Sequence, residues 1–105
     1  MSLVSIGKLP DFPEGKMKKV SVKGKEILIA NLNGELYSID DMCTHEECSL
    51  SDGFLTGENV TCGCHLAQFN IKTGKVMQKP ATGALIDDEP SYKVSVKGQE
   101  VFIEV

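Results

Sequence analysis

Residues 43–65 contain all four cysteines and both histidines of this 105-residue chain. Four of these residues form two mixed pairs, Cys43-x-His45 and Cys62-x-x-His65, which are sixteen residues apart. Each pair can chelate a metal because a tight loop brings both side chains to one side, and two facing loops supply four ligands. Thiolate and imidazole together suit a zinc ion or an iron–sulfur cluster, and a Cys–His pair can also act as a nucleophile with its base.

The residue types alone favour a metal centre over the other interpretations. A catalytic nucleophile does not explain two matched pairs, and no third orienting residue is evident. A zinc site stays open, although structural zinc sites usually pair Cys with Cys and His with His, and small ones tend to replace a hydrophobic core. Cysteines that merely fill an apolar core are disfavoured because both loops carry polar or small residues, namely Thr44, Glu46, Glu47, Ser49 and Gly63.

Length and composition predict one soluble globular domain over residues 1–105, with 41% hydrophobic and 25% charged residues. A net charge of -4 and the lack of any arginine argue against nucleic-acid binding. The longest aliphatic run, Ile27 to Ala30, is far shorter than the roughly 20 residues that span a bilayer, and the N-terminus lacks a secretory pattern. We therefore expect a cytoplasmic protein with no membrane contact.

Charge is distributed unevenly along the chain. No lysine lies between Glu26 and Ile71, whereas eight acidic residues fall in this stretch: Glu26, Glu35, Asp40, Asp41, Glu46, Glu47, Asp52 and Glu58. This pattern fits either a solvated face that keeps the protein soluble or an acidic surface that attracts a basic partner.

Short segments rich in Val and Ile, separated by glycine-containing turns, predict an all-β fold. Lys18–Val22, Glu26–Leu32 and Glu35–Ile39 are predicted to form three antiparallel strands, and Tyr92–Val96 with Glu100–Val105 forms a further hairpin. No segment has an apolar period long enough for a helix beyond one turn within residues 10–15.

Two hairpins have nearly the same sequence, "VSVKGKEILI" at 20–29 and "VSVKGQEVFI" at 94–103. We interpret this as one hairpin solution used twice in a single sheet or barrel, not as a functional duplication. Between the two hairpins, residues from about 42 to 82 are predicted to form a small inserted subdomain. It has two short hairpins of its own, and its candidate ligands lie in loops.

The ligand loops resemble a known family. "CTH" at 43–45 and "CGCH" at 62–65, followed by the Gly74 turn and Pro80, are similar to the Rieske [2Fe-2S] domain. The resemblance to soluble Rieske ferredoxins covers nearly the whole chain, through "NLNGELYSIDDMCTH", "LSDGFLTGENVTC" and "HLAQFNIKTGKVMQKPAT".

This resemblance implies a fold and a cofactor. The fold would be an antiparallel Rieske-like barrel or sandwich with a small inserted cluster-binding subdomain. The cofactor would be one [2Fe-2S] cluster, with Cys43 and Cys62 on one iron and His45 and His65 on the other through their Nδ1 atoms.

The resemblance also assigns roles to residues around the cluster. Cys48 and Cys64 occupy the positions of a disulfide that ties the ligand loops together in quinol-oxidising complexes. Two free buried thiols are the alternative, because the cytoplasm keeps most thiols reduced. Pro80 resembles the proline of a loop that, together with Leu66, shields the cluster from water, and a surface turn is the alternative.

Ligand chemistry bears on the reduction potential. With two thiolates and two neutral imidazoles the oxidised cluster is neutral, so it accepts an electron more readily than a cluster held by four thiolates. In high-potential relatives of the family, hydroxyl donors follow the second histidine, but this chain has Ala67 and Phe69 at those positions. We therefore predict a potential toward the low end of the range of about -150 to +300 mV known for such centres.

The function implied is one-electron transfer without conversion of a substrate. Its partners would be a flavin-containing reductase and a terminal oxygenase or similar redox enzyme, and nothing in the sequence demands a dimer. The electron would leave through His45 and His65, within a docking rim of Leu66, Glu46, Glu47 and the Pro80 loop. Two alternatives are a Rieske-like small subunit of a nitrite reductase and a zinc-stabilised binding module.

Overall fold

The structure is a computed structural model that describes residues 3–42, 48–64, 66–80, 83 and 86–105. These residues form ten β-strands and two short 3-10 turns, Leu9–Asp11 and Leu50–Asp52, so the all-β prediction is confirmed. In chain order the strands are β1 (Leu3–Lys8), β2 (Met17–Val22), β3 (Lys25–Leu32), β4 (Glu35–Asp40), β5 (Phe54–Thr56), β6 (Asn59–Thr61), β7 (Gln68–Asn70), β8 (Val76–Gln78), β9 (Ser91–Lys97) and β10 (Glu100–Glu104).

The larger sheet has six antiparallel strands in the order β1-β10-β9-β4-β3-β2. Its two edge strands, β1 and β2, approach each other, so the sheet is curled into a nearly closed barrel. The two hairpins of similar sequence, β2–β3 and β9–β10, both lie in this sheet, with β4 between them. The two similar sequences therefore form two hairpins of the same barrel, as predicted.

β3 is buried on both faces, which explains its uninterrupted aliphatic run. Ile27 and Ile29 face the interior of the barrel, where they pack with Phe12, Val22, Val101 and Ile103. Leu28 and Ala30 point to the opposite face and belong to a second core. Because successive side chains of a strand alternate between faces, the part of β3 that separates the two cores, residues 27–30, is apolar at every position.

The smaller sheet has the order β5-β6-β7-β8 and is built from two hairpins, as predicted for the inserted segment. It is joined to the barrel through the second core, to which it contributes Val60, Phe69 and neighbouring apolar residues. Cys62 follows β6 directly and is also a member of this core. The loops that contain the candidate ligands are thus anchored on a packed scaffold.

β1 is an element that the sequence patterns did not predict. It pairs with β10, and its register shifts between Ser5 and Gly7. Gly7 has a φ of 142°, and a side chain there would approach the Asp11 carboxylate and the Phe12 ring. The irregularity interrupts the alternation on which a strand prediction depends. No helix in the described part of the chain is both long and apolar enough to cross a bilayer.

Candidate metal centre

Eight residues are predicted to be ligands, disulfide partners or shields of the cluster, and the structure describes five of them: Cys48, Cys62, Cys64, Leu66 and Pro80. The predicted ligands Cys43, His45 and His65 lie outside the described residues, as do Glu46 and Glu47 of the predicted docking rim. The structure therefore shows the segments that enter and leave both ligand loops.

Asp41 closes the base of the first ligand loop. Its side chain is fully buried, its Oδ2 accepts a hydrogen bond from the Ser49 hydroxyl at 2.6 Å, and its Oδ1 accepts one from the Ser51 backbone N–H at 2.8 Å. The Asp41 backbone oxygen accepts a third bond from Leu50 N–H at 2.6 Å, and Met42 forms a bridge with Ser49. Residues 41–42 and 49–51 thus clamp the two ends of the loop that contains Cys43 and His45.

Cys62 opens the second ligand loop in a tight turn. Its N–H donates to the Ala67 oxygen at 2.7 Å, and its own oxygen accepts from Leu66 N–H at 3.0 Å. The Cys62 side chain is 1% exposed and packs in the second core with Ala67 and Phe69. A thiol at this position faces an apolar, water-poor environment.

A disulfide joins the two loops. Cys48 of the first loop is bonded to Cys64 of the second, with the two Cα atoms 6.6 Å apart. Among the described cysteines, Cys62 alone remains a thiol. The sulfur atoms of Cys48, Cys62 and Cys64 all lie within 4.8 Å of one another. The bond therefore holds the first loop directly beside the buried thiol of the second.

Leu66 lies on the outer side of the second loop. Its side chain is 51% exposed, and its φ of 63° falls in the left-handed region that is costly for a residue with a Cβ. The Gln78 side chain donates to the Leu66 backbone oxygen at 3.1 Å, which links the loop to β8. An exposed apolar side chain is thus held in a strained conformation next to position 65.

Pro80 is buried, and its oxygen accepts a hydrogen bond from Gly83 N–H at 2.8 Å. The preceding segment is fixed at Gly74, which has a φ of 80° and lies so close to the Glu89 carbonyl that a Cβ would be 2.0 Å from its oxygen. Only glycine satisfies both requirements. The turn between β7 and β8 is thereby locked against the segment that precedes β9.

The end of β4, just before the first loop, is anchored to β9. The Tyr92 hydroxyl donates to the Asp40 carboxylate at 2.5 Å, and the ammonium of Lys25 lies 5.9 Å from the centre of the Tyr92 ring. Burial and the hydrogen bond to Asp40 raise the pKa of Tyr92 well above its ordinary value. A neutral tyrosine is therefore a fixed part of this junction.

The donor chemistry fits a thiophilic metal cluster. The described part of the site offers one buried thiol, Cys62, on the second ligand loop, which a disulfide ties to the loop containing the first Cys–His pair. The Asp41 clamp and the Cys62 turn fix the segments that flank both pairs. Soft sulfur donors in a dry, apolar pocket are typical of iron–sulfur ligation.

Comparison with known proteins gives the class. The family model for the Rieske [2Fe-2S] domain matches residues 2–101, and the chain belongs to this family. Its cofactor is accordingly the family's [2Fe-2S] cluster. The fold agrees, since the chain superposes on the ferredoxin of carbazole 1,9a-dioxygenase from Nocardioides aromaticivorans IC177 with a TM-score of 0.88 at 24% identity, covering 98% of this chain and 97% of that one.

Curated relatives narrow the class further. The chain is 36% identical over 97 residues to the ferredoxin component of a naphthalene 1,2-dioxygenase system from Pseudomonas aeruginosa, which covers 92% of this chain and 89% of the relative. It is 38% identical over 96 residues to the ferredoxin subunit of a 3-phenylpropionate/cinnamic acid dioxygenase from Shigella boydii, which covers 90% and 86%. The chain is thus an electron carrier of the ferredoxin type and not a substrate-converting enzyme.

Asp41 is the site residue whose role the sequence did not reveal. In the sequence it is one of eight acidic residues from Glu26 to Glu58, whereas in the structure it is fully buried and organises the first loop. The available signal was its place two residues before Cys43, with Ser49 and Ser51 following at the far side of the loop.

Proposed function

We propose that this chain is a one-electron carrier in which Cys43 and Cys62 hold one iron of the cluster and His45 and His65 hold the other. When bound, such a cluster accepts and releases a single electron. The observation that carries the proposal is the buried Cys62 thiol, which lies within 4.8 Å of a disulfide that ties the two ligand loops together. No other described cysteine is a thiol.

The chain's own residues would restrict movement and exclude water at this site. The second core closes around Cys62 from below, the Asp41 clamp fixes the base of the first loop, and the Cys48–Cys64 bond prevents the loops from separating. Because the ligand loops would move little, the structure would change little when the cluster gains or loses an electron. Pro80 and Leu66 are proposed to shield the cluster from solvent.

The reduction potential is proposed to be low for this family. Donors to the cluster sulfurs would stabilise the reduced state. Ala67 and Phe69 are both fully buried beside Cys62 and offer no side-chain donor. The acidic stretch from Glu26 to Glu58 works in the same direction, because nearby negative charge disfavours addition of an electron.

The proposed electron acceptor is a terminal oxygenase. Both curated relatives are components of dioxygenase systems, and a structural relative with 26% identity and a TM-score of 0.86 is described as a complex of reduced oxygenase and oxidised ferredoxin of carbazole 1,9a-dioxygenase. The exposed Leu66 would lie in the docking rim. A flavin-containing reductase is the proposed donor.

We further propose that residues 1–105 act as one domain and as a monomer in the cytoplasm. The segment of about 42–82, which contains the four strands of the smaller sheet, would be its cluster-binding subdomain. The shared second core supports one unit, since neither sheet could keep its inner face out of water without the other.

Metal analysis tests the proposal. The purified full-length chain should contain two irons and two acid-labile sulfides, and it should give a paramagnetic signal only after reduction. Cys62→Ser should lose the cluster, whereas the control Asp52→Ala, which removes an exposed carboxylate at the end of the facing loop, should keep it. One zinc per chain without labile sulfide would refute the proposal.

A further inference from the structure

A third sulfur lies beside the disulfide that joins the ligand loops. The Sγ atom of Cys62 is within 4.8 Å of the Sγ atoms of both Cys48 and Cys64. A thiol this close to a disulfide is placed to attack it once it has lost its proton, because exchange proceeds by attack of a thiolate on a disulfide sulfur with expulsion of the other sulfur as a thiolate. We propose that Cys62, Cys48 and Cys64 form a thiol-exchange centre that is active when the cluster is absent and that makes Cys64 a site of modification by small disulfides.

The burial of the three residues sets the direction of the exchange. Cys62 is buried, Cys48 is half-buried and Cys64 is exposed. Attack by Cys62 on the Cys48 sulfur expels Cys64 into solvent, where water stabilises the leaving thiolate. Attack on Cys64 instead would close a small ring across Gly63 alone, which backbone geometry disfavours. The favoured product is a Cys48–Cys62 bridge.

The step is balanced without any outside oxidant or reductant. The Cys62–Cys48 bond forms as the Cys48–Cys64 bond breaks, the proton lost by Cys62 passes to solvent, and the Cys64 thiolate takes up a proton in turn. The number of disulfides and thiols is unchanged. Exchange therefore moves the bridge from one pair of residues to another.

Cys64 is reachable from outside. Together with Cys48, Ser49, Asp52 and Gly63 it lines an open depression on the surface. A released Cys64 thiol in this depression can attack a low-molecular-weight disulfide of the glutathione class, forming a mixed disulfide on Cys64 and expelling one molecule of the small thiol. The Cys62 thiol, by contrast, lies in the second core and is closed to such reagents.

The exchange has a consequence for assembly of the cluster, and this part rests on the proposed function. If Cys62 is an iron ligand, a bound cluster blocks its attack, whereas a Cys48–Cys62 bridge in the cluster-free chain removes one of the four ligands. The cluster would then have to be inserted before the exchange takes place, or a thiol reductant would have to open the Cys48–Cys62 bridge first. The disulfide of the finished protein would be inert, because its attacking group is occupied.

Peptide mapping after alkylation tests the exchange. The full-length chain is stripped of its cluster with acid and chelator in the absence of thiols, blocked with N-ethylmaleimide, and digested. Alkylation at Cys64 with a Cys48–Cys62 cross-link is expected, together with at least tenfold more label on Cys64 than in the cluster-loaded chain. An intact Cys48–Cys64 cross-link, with a Cys62 thiol that becomes labelled only after the chain is unfolded in denaturant, would overturn the proposal.

Two further measurements keep the outcome independent of folding and of the proposed function. Cys62→Ser lacks the attacking thiol and should retain the Cys48–Cys64 cross-link under the same treatment; loss of this cross-link in the variant would also overturn the proposal. Iron and sulfide analysis of the untreated chain reports separately on the proposed function. A chain that lacks labile sulfide but forms the Cys48–Cys62 disulfide would refute the proposed function and support the exchange.

Discussion

Replacement of Asp41 by Ala removes the clamp at the base of the first ligand loop. The Asp41 carboxylate is fully buried and accepts two hydrogen bonds, from the Ser49 hydroxyl at 2.6 Å and from Ser51 N–H at 2.8 Å. A hydrogen bond to a charged group contributes about 1.5–3 kcal/mol, so the two bonds together contribute about 3–6 kcal/mol. Water that enters the vacated space recovers part of this, and we expect a loss of about 3 kcal/mol.

Denaturant unfolding of the cluster-loaded chain measures this loss. Guanidinium chloride titrations followed by circular dichroism give the free energy of unfolding, and the visible absorbance of the cluster gives its release in the same samples. Because domains of this size have a total stability of about 5–15 kcal/mol, a loss of about 3 kcal/mol is easily resolved. Asp41→Ala should also release the cluster at a lower denaturant concentration than the parent chain.

Two comparison variants separate the clamp from a general effect of lost charge. Asp41→Asn keeps the shape and one acceptor oxygen, so it should lose about half as much stability as Asp41→Ala. Asp52→Ala removes an exposed carboxylate from the same segment and should change stability by less than about 0.5 kcal/mol. A loss below about 1 kcal/mol for Asp41→Ala, or an equal loss for Asp52→Ala, would refute this reasoning.

Three further predictions concern the scaffold and the potential. In thermal unfolding, Gly74→Ala should destabilise the chain by at least about 2 kcal/mol more than Gly24→Ala. Both glycines have a φ near 80°, but of the two only Gly74 lies so close to a carbonyl oxygen that a Cβ would be 2.0 Å from it. Equal losses of stability in the two variants would contradict this close approach. Because the pKa of Tyr92 is raised in the folded chain, its neutral form stabilises the fold below about pH 10, and this stability is lost as the pH rises further. Tyr92→Phe should therefore lose less stability between about pH 10 and pH 12 than the parent chain does. The same pH dependence of stability in both chains would contradict this role of Tyr92. Ala67→Ser adds a donor beside Cys62 and should raise the reduction potential by about 40 mV in voltammetry if the new hydrogen bond favours the reduced state by about 1 kcal/mol; an unchanged potential would oppose the proposed tuning.

Local sequence signals predicted most of the barrel. β3 and β4 could be read from an aliphatic run and from the Asn33–Gly34 turn, whose two positive φ values of 55° and 92° suit those residues. The repeated Lys-Gly pairs likewise marked both similar hairpins. β1 could not be read in this way, because Gly7 breaks its alternation and its pairing partner, β10, lies at the other end of the chain.

The sequence indicates a metal centre but not the contacts that support it. Mixed Cys–His pairs favour a zinc ion or an iron–sulfur cluster by residue type, and the resemblance to the family favours the cluster. The role of Asp41 depends on a loop closing back onto it, and the left-handed backbone of Leu66 depends on the turn between Cys62 and Ala67. Such features arise from tertiary contacts and leave no periodic pattern in the sequence.

The central claim is that imidazoles hold one iron and thiolates hold the other. Electron–nuclear double resonance on the reduced, full-length chain, labelled with nitrogen-15 only at histidine, measures this directly. The account predicts couplings from two histidine nitrogens in the parent chain and from one in His65→Cys samples that retain a cluster. A reduced cluster without any histidine coupling would contradict it.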